Sequence, residues 1–231
     1  MSAPSPDRLL DALPVAAFRR ADEGPDAGFY AAPRFVTHID DAAVAAVTRL
    51  YREFLPPGGA VLDLMSSWVS HLPDDVAYGR VAGVGLNADE LAANPRLTER
   101  RVQDLNADPR LPYGDGEFDA AACCVSVQYL VRPAEVFGEL ARVLRPGAPA
   151  VVTFSDRCFP TKAVAVWQAL DAAGHAALVG AYFAAAAGFA PAEVRAHPPA
   201  ALRPGWRRQE DPLIGVVARR RGGGPADGRP V

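Results

Sequence analysis

FDAAACCVSVQYLVRPAEVFGELARVLRPGAPAVVTF, residues 118–154, decides how this chain is read. Phe118–Val125 is a nearly unbroken apolar run, short for a helix and long enough for a strand buried on both faces. Pro133 opens a helical segment that runs to Leu144; proline suits a first helical turn because the N–H it lacks has no partner there. Arg145-Pro146-Gly147 closes the helix, and Ala150–Phe154 is apolar again. A buried strand, a helix and a second buried strand make one crossover unit of a parallel sheet covered by helices.

The same alternation continues on both sides. Upstream, a helix runs from Asp40 or Asp41 to Leu55, with Val44, Val47, Leu50, Tyr51 and Phe54 at helical spacing, and Pro56-Pro57-Gly58-Gly59 ends it. Ala60–Leu64 is a first strand, Val81–Leu86 a second with a helix from about Ala88, and a short third lies near Arg101-Val102-Gln103. Downstream, a helical region at Thr161–Ala187 precedes two last strands, Ala192–Ala196 and Leu213–Ala218. The expected fold is α/β: a doubly wound, Rossmann-like, mostly parallel seven-stranded sheet with helices on both faces. Residues 1–40 read as an N-terminal arm or cap with a short helix around Asp7–Leu13, residues 41–221 as the main domain, and 222–231 as a disordered tail.

Composition narrows the function classes. Of 231 residues, 50% are hydrophobic and 22% charged, enough to bury a sizeable core without disulfides. Three cysteines, two of them adjacent, give neither a disulfide scaffold nor a metal-ligand spacing, so no metal is expected. Lys and Arg number 24 against 27 Asp and Glu, a net charge of −3 that argues against a nucleic-acid binder. With no signal-like N-terminal run and no apolar stretch of about 18 residues, the chain is expected to be cytoplasmic, without a membrane partner.

Open parallel sheets bind ligands at the carboxyl ends of their strands. Here those ends are polar while the strand bodies are not: Asp63 then Ser66 and Ser67, Gly85 then Asn87, Asp104 and Asn106, Cys124 then Ser126, Gln128 and Tyr129, and Ser155-Asp156-Arg157. One shared pocket follows.

VLDLMSSW (61–68), VAGVGLNADEL (81–91), VQDLNADPRLPYGDGEFDAA (102–121) and CVSVQYLVRPAEVFGELARVLRPGAPAVVTF (124–154) together resemble the class I S-adenosylmethionine-dependent methyltransferases of the small-molecule type. The most specific part is LPYGDGEFDA followed by a helix ending in VLRPGA. The resemblance implies S-adenosyl-L-methionine as cofactor. It implies that Asp63 helps fix the methionine amino group through water or through the loop, that Asp104 accepts from the adenine amine with the Leu105 N–H against the ring, and that the main chain at Cys124 touches the methionine part. Two departures stand out. Met65, Ser67 and Val69 occupy the places of a GxGxG loop, leaving Met65, Ser66 and Ser67 to form the carboxylate cradle. Gly85 stands where the family carries a ribose-binding acid, with Asn87 the nearest replacement. A nicotinamide dehydrogenase is disfavoured because no GxGxxG follows the first strand.

On the acceptor side, the aromatic and basic segment 29–38 precedes the first long helix and supplies Tyr30 and Arg34 as substrate-binding candidates, with His38 a candidate base. Gln128 and Tyr129, and Arg157 in the polar loop 155–162, complete the set, with Tyr129 a second catalytic candidate. The reading is a methyltransferase acting on a small molecule; the alternative is a methyltransferase-like binding or regulatory module without catalysis. The oligomeric state stays open.

Overall fold

The computed structural model describes residues 9, 10, 12–197 and 210–222. Seven strands, β1 (Ala60–Leu64), β2 (Arg80–Gly85), β3 (Glu99–Val102), β4 (Ala120–Cys124), β5 (Pro149–Phe154), β6 (Glu193–His197) and β7 (Leu213–Arg219), form one sheet in the order β3-β2-β1-β4-β5-β7-β6. Strands β1 to β5 pair in parallel, while β7 runs antiparallel to both β5 and β6. The order reverses direction between β1 and β4, and a parallel sheet opens its ligand crevice at such a switch point.

Alternation along the strands builds two cores. Val61, Val81, Ala120, Ala122 and Val151 pack with Val47, Leu50 and Tyr51 of α2 (Asp41–Phe54), which follows α1 (Asp26–Phe29). Leu62, Leu64, Val84, Ala121, Cys123 and Val152 face the opposite side. There they meet Phe137 and Leu140 of α4 (Pro133–Val143) and Val179, Tyr182 and Phe183 of α6 (Ala172–Ala185). Helix α3 (Ala88–Ala93) follows β2, and α5 (Ala165–Ala169) precedes α6. Asp40 caps α2, accepting the Ala43 N–H at 2.9 Å. Among the described residues, no helix is long and apolar enough to cross a membrane.

Several boundaries differ from expectation, each for a local reason. Phe118 makes only an isolated bridge with Leu144, and Val125 turns out of the sheet with φ 48°, so the fourth strand spans Ala120–Cys124. The helical region at 161–187 is two helices, because Asp171 starts α6 afresh by accepting the Gly174 N–H at 2.8 Å. Of the helix expected around Asp7–Leu13, the described residues Leu9, Leu10 and Ala12 are helical, while residues 7, 8 and 11, and 223–231 of the expected tail, lie outside the described residues.

The segment before α2 crosses the carboxyl ends of the strands, and a buried ionic cluster holds it there. Asp26 accepts two hydrogen bonds from Arg20 Nη1, at 2.7 and 2.8 Å, and one from Asn106 Nδ2 at 2.8 Å. Lys162, fully buried, lies 3.1 Å from Asp26 and 3.0 Å from Asp22, and donates to the Gly24 carbonyl at 2.9 Å. Burial alone raises the Asp26 carboxyl, but the hydrogen bonds from Arg20, Asn106 and Lys162 outweigh it and hold it below the usual carboxylate range. A buried charge pair is costly to break from one side because the survivor stays buried. Lys162→Ala is therefore expected to cost about 3 kcal/mol or more in urea denaturation. Arg195→Ala, which breaks the exposed pair with Glu193, is expected to cost less than about 1 kcal/mol.

Candidate functional site

A cavity of about 270 Å³ opens at the switch point, near the lower end of the range for small-molecule sites. Its floor comes from the ends of four strands: Met65, Ser66 and Ser67 after β1, Val84 to Asn87 at β2, Gln103 to Asn106 after β3, and Cys124 to Ser126 at β4. Its roof is Asp26, Tyr30, Arg34 and His38, and its far wall is Tyr129, Arg157, Cys158 and Phe159.

The loop after β1 takes its shape without glycine. Met65 adopts a left-handed backbone, φ 56°, at a position where glycine is unstrained. Hydrogen bonds hold what sterics oppose. Asp63 Oδ2 accepts the hydroxyls of both Ser66 and Ser70 at 2.6 Å. Asn94, fully buried, donates to Ser70 Oγ and to the Ser67 carbonyl, each at 2.8 Å. The Ser66 N–H donates to the Val84 carbonyl at 2.7 Å, drawing the loop over the end of β2.

That course explains Gly85. A Cβ there would sit 2.1 Å from the Ser66 carbonyl oxygen, so no side chain fits while the loop holds this path. The carboxylate nearest this end in sequence and lining the cavity is instead Glu90, in the first turn of α3. Its Oε1 accepts the Arg34 backbone N–H at 2.7 Å and its Oε2 the Ser67 hydroxyl at 2.6 Å.

Asp63 does not itself line the cavity: on the α2 side of β1 it holds the loop serines, so it bears on the cavity through the loop. One expectation needs correction: Gln128 does not line the cavity either. It is fully buried, and its amide donates to the Val125 and Arg157 carbonyls at 3.0 and 3.3 Å, pinning the wall from behind. Asn87 does line the cavity, but its oxygen caps α3 through the Asp89 and Glu90 N–H groups and its nitrogen serves the Tyr30 and Ala31 carbonyls. Arg157 stands at the rim, mostly exposed, donating to Asp211 at 2.9 Å.

The other expected residues converge. Met65, Ser66, Ser67, Gly85, Asp104, Leu105, Cys124, Tyr30, Arg34, His38 and Tyr129 all line the one cavity. Asp104 Oδ1 accepts the Asn106 and Ala107 N–H groups, leaving Oδ2 without a hydrogen bond among the described residues. Burial pushes the Cys124 thiol up to about 12, so it carries no reactive thiolate, and Cys123 lies in the core on the other side of the sheet. Glu90 and Asp26 escaped sequence reasoning. Glu90 falls in a helix turn where an acid reads as a helix-dipole partner, and Asp26 needed the roof contacts to be seen.

Residues 65–152 match the family model described as a methyltransferase domain. That stretch carries a methyltransferase domain. The sequence resemblance implies S-adenosyl-L-methionine as the cofactor of such a domain. Among solved structures, a methyltransferase from Mesorhizobium loti is 19% identical with TM-score 0.51, covering 78% of this chain and 98% of that one. A possible histamine N-methyltransferase from Thermotoga maritima is 14% identical with TM-score 0.54, covering 78% and 90%. A geranyl diphosphate methyltransferase, solved with its prenyl substrate and sinefungin, is 19% identical with TM-score 0.52, covering 76% and 78%. These likenesses concern the fold. No curated protein matches the chain.

The residues present fit such a cofactor. Asp104 offers a free carboxylate oxygen at the methyltransferase domain's third strand end, and Glu90 offers acceptor lone pairs beside Gly85. Two predictions test the loop. Gly85→Asp, which restores the family's usual residue, is expected to destabilise the methyltransferase domain by about 3 kcal/mol in urea, since the clash is with backbone. Burial pushes the Asp63 carboxyl up to about 6 from an ordinary 3.8, against the lowering effect of Ser66 and Ser70. The folded state therefore holds that proton more tightly, and this contribution to stability is greatest below about pH 4 and falls as pH rises to about 6, by at most about 3 kcal/mol. Asp63→Asn keeps an oxygen acceptor for both serines; denaturation across that window is expected to show the decline flattened and the variant at least as stable as the wild type at neutral pH.

Proposed function

We propose that this chain transfers the methyl group of S-adenosyl-L-methionine to a small-molecule acceptor bound between the ends of β4 and β5 and the roof. The observation that carries this reading is the single cavity shared by the strand ends and by Tyr30, Arg34, His38, Tyr129 and Phe159. Asp104 and the Leu105 N–H would hold the adenine, Glu90 the ribose hydroxyls, and the Met65-Ser66-Ser67 backbone with Cys124 the methionine part. When bound, the cofactor supplies an activated methyl group. The chain supplies alignment, exclusion of water by the roof and, where the acceptor needs one, a base.

Of the two candidate bases, His38 suits neutral pH. Burial lowers its pKa, so the imidazole is neutral there and can take a proton. Burial pushes Tyr129 up to about 12, and its oxygen already accepts the Phe159 N–H at 2.9 Å, so it keeps its proton and shapes the wall.

Release of S-adenosylhomocysteine should be followed with panels of small phenols, carboxylic acids, amines and thiols. Turnover with a member of one class is expected. Its rate is expected to fall as pH drops below the ordinary histidine value of 6.5, and His38→Gln is expected to slow it by about 10²-fold or more and remove that acidic limb. A folded, cofactor-binding protein that turns over no class would leave the alternative, a binding module without transfer, which the glycine-free β1 loop favours.

A further inference from the structure

Arg34 is the charged group of the roof that the methyltransferase reading has not used. Its guanidinium carbon lies 4.9 Å from the ring centre of Phe29, 5.6 Å from that of Tyr30 and 5.4 Å from that of Phe159. Three aromatic faces thus hold the cation at the cavity wall. Nη2 donates to the Phe29 carbonyl at 2.9 Å. Nη1 is buried and has no hydrogen-bond partner, and Arg34 forms no ion pair, among the described residues. Glu90 meets the Arg34 backbone N–H rather than its guanidinium. The other cations around the cavity are compensated: Arg20 and Lys162 by Asp26 and Asp22, Arg157 by Asp211.

A buried donor without a partner is costly, and more so on a cation. Its natural complement is an anion entering from the cavity. One unpaired guanidinium with a single free Nη matches one negative charge, which favours a carboxylate over a doubly charged phosphate monoester. The neighbouring surfaces of Tyr30, Tyr129 and Phe159 favour a flat apolar body behind that charge; Tyr129 and Phe159 stack with centroids 5.9 Å apart.

We infer that the methyl acceptor is a small, flat carboxylic acid whose carboxylate docks on Arg34 at the cavity wall. This rests on the methyltransferase reading above and narrows its acceptor class. The protein, saturated with S-adenosylhomocysteine, would be titrated calorimetrically with benzoate, phenyl phosphate and the neutral isostere benzamide. Benzoate is expected to bind about tenfold or more tightly than benzamide, and more tightly than phenyl phosphate. Arg34→Gln is expected to abolish that preference, and Arg34→Lys to restore it in part, with both variants melting cooperatively.

Equal binding of benzoate and benzamide by the wild type, no binding of benzoate, or a preference untouched in Arg34→Gln would overturn the assignment. So would preferential binding of phenyl phosphate, which would give Arg34 to a phosphorylated ligand. A further arm compares S-adenosylhomocysteine with 5′-methylthioadenosine, which lacks the amino-acid carboxylate. If Arg34→Gln weakens only the former, the guanidinium serves the cofactor and the acceptor assignment falls. Failure of the methyltransferase reading is distinguishable: it shows as wild-type protein that does not bind S-adenosylhomocysteine, or that binds it and turns over no acceptor class, whereas failure of the acceptor assignment shows as a missing benzoate preference in protein that binds S-adenosylhomocysteine.

Discussion

One buried carboxylate sets the course of the chain where the sheet opens. Asp63, at the penultimate position of β1, takes two serine hydroxyls on the same oxygen, and Asn94 ties one of them, Ser70, to the Ser67 carbonyl of the loop backbone. In the methyltransferases that the sequence resembles, a loop of this kind relies on glycine to lie flat. Here hydrogen bonding does that job, and it holds Met65 in a left-handed conformation at a cost of about 1–2 kcal/mol. A carboxyl raised by burial is a second cost of the same arrangement.

The consequences run along the neighbouring strand. Because the loop is drawn over β2 by the Ser66 to Val84 hydrogen bond, Gly85 has no room for a side chain. The nearby cavity carboxylate is Glu90, five residues on, which receives Ser67 and the roof backbone at Arg34. Loop, helix α3 and roof are thereby coupled through one carboxylate. On the other side, the Arg20–Asp26–Lys162 cluster and Asn106 join the roof to the loops after β3 and β5. The cavity is closed by polar contacts whose partners lie far apart in sequence.

This division also explains what was legible beforehand. Strand bodies and long helices follow from apolar period and capping residues, and Ala60–Leu64, Pro149–Phe154 and Pro133–Val143 stand close to their expected places. The polar strand ends correctly point to one cavity. Side-chain direction there is less legible. Asp63 and Gln128 carry the right chemistry for a site, yet each is spent on backbone and loop contacts that only tertiary packing creates. Lys162 reads as part of a polar loop, and its burial depends on aspartates some 140 positions earlier. Glu90 reads as a helix-start acid until the loop and roof are seen to converge on it.

The central claim is that a loop shaped by Asp63 and its serines, rather than by glycines, floors a working cofactor site. Isothermal titration of the wild-type protein with S-adenosylhomocysteine tests it most directly. The account predicts saturable one-to-one binding. Protein that melts cooperatively and takes up no S-adenosylhomocysteine would contradict it.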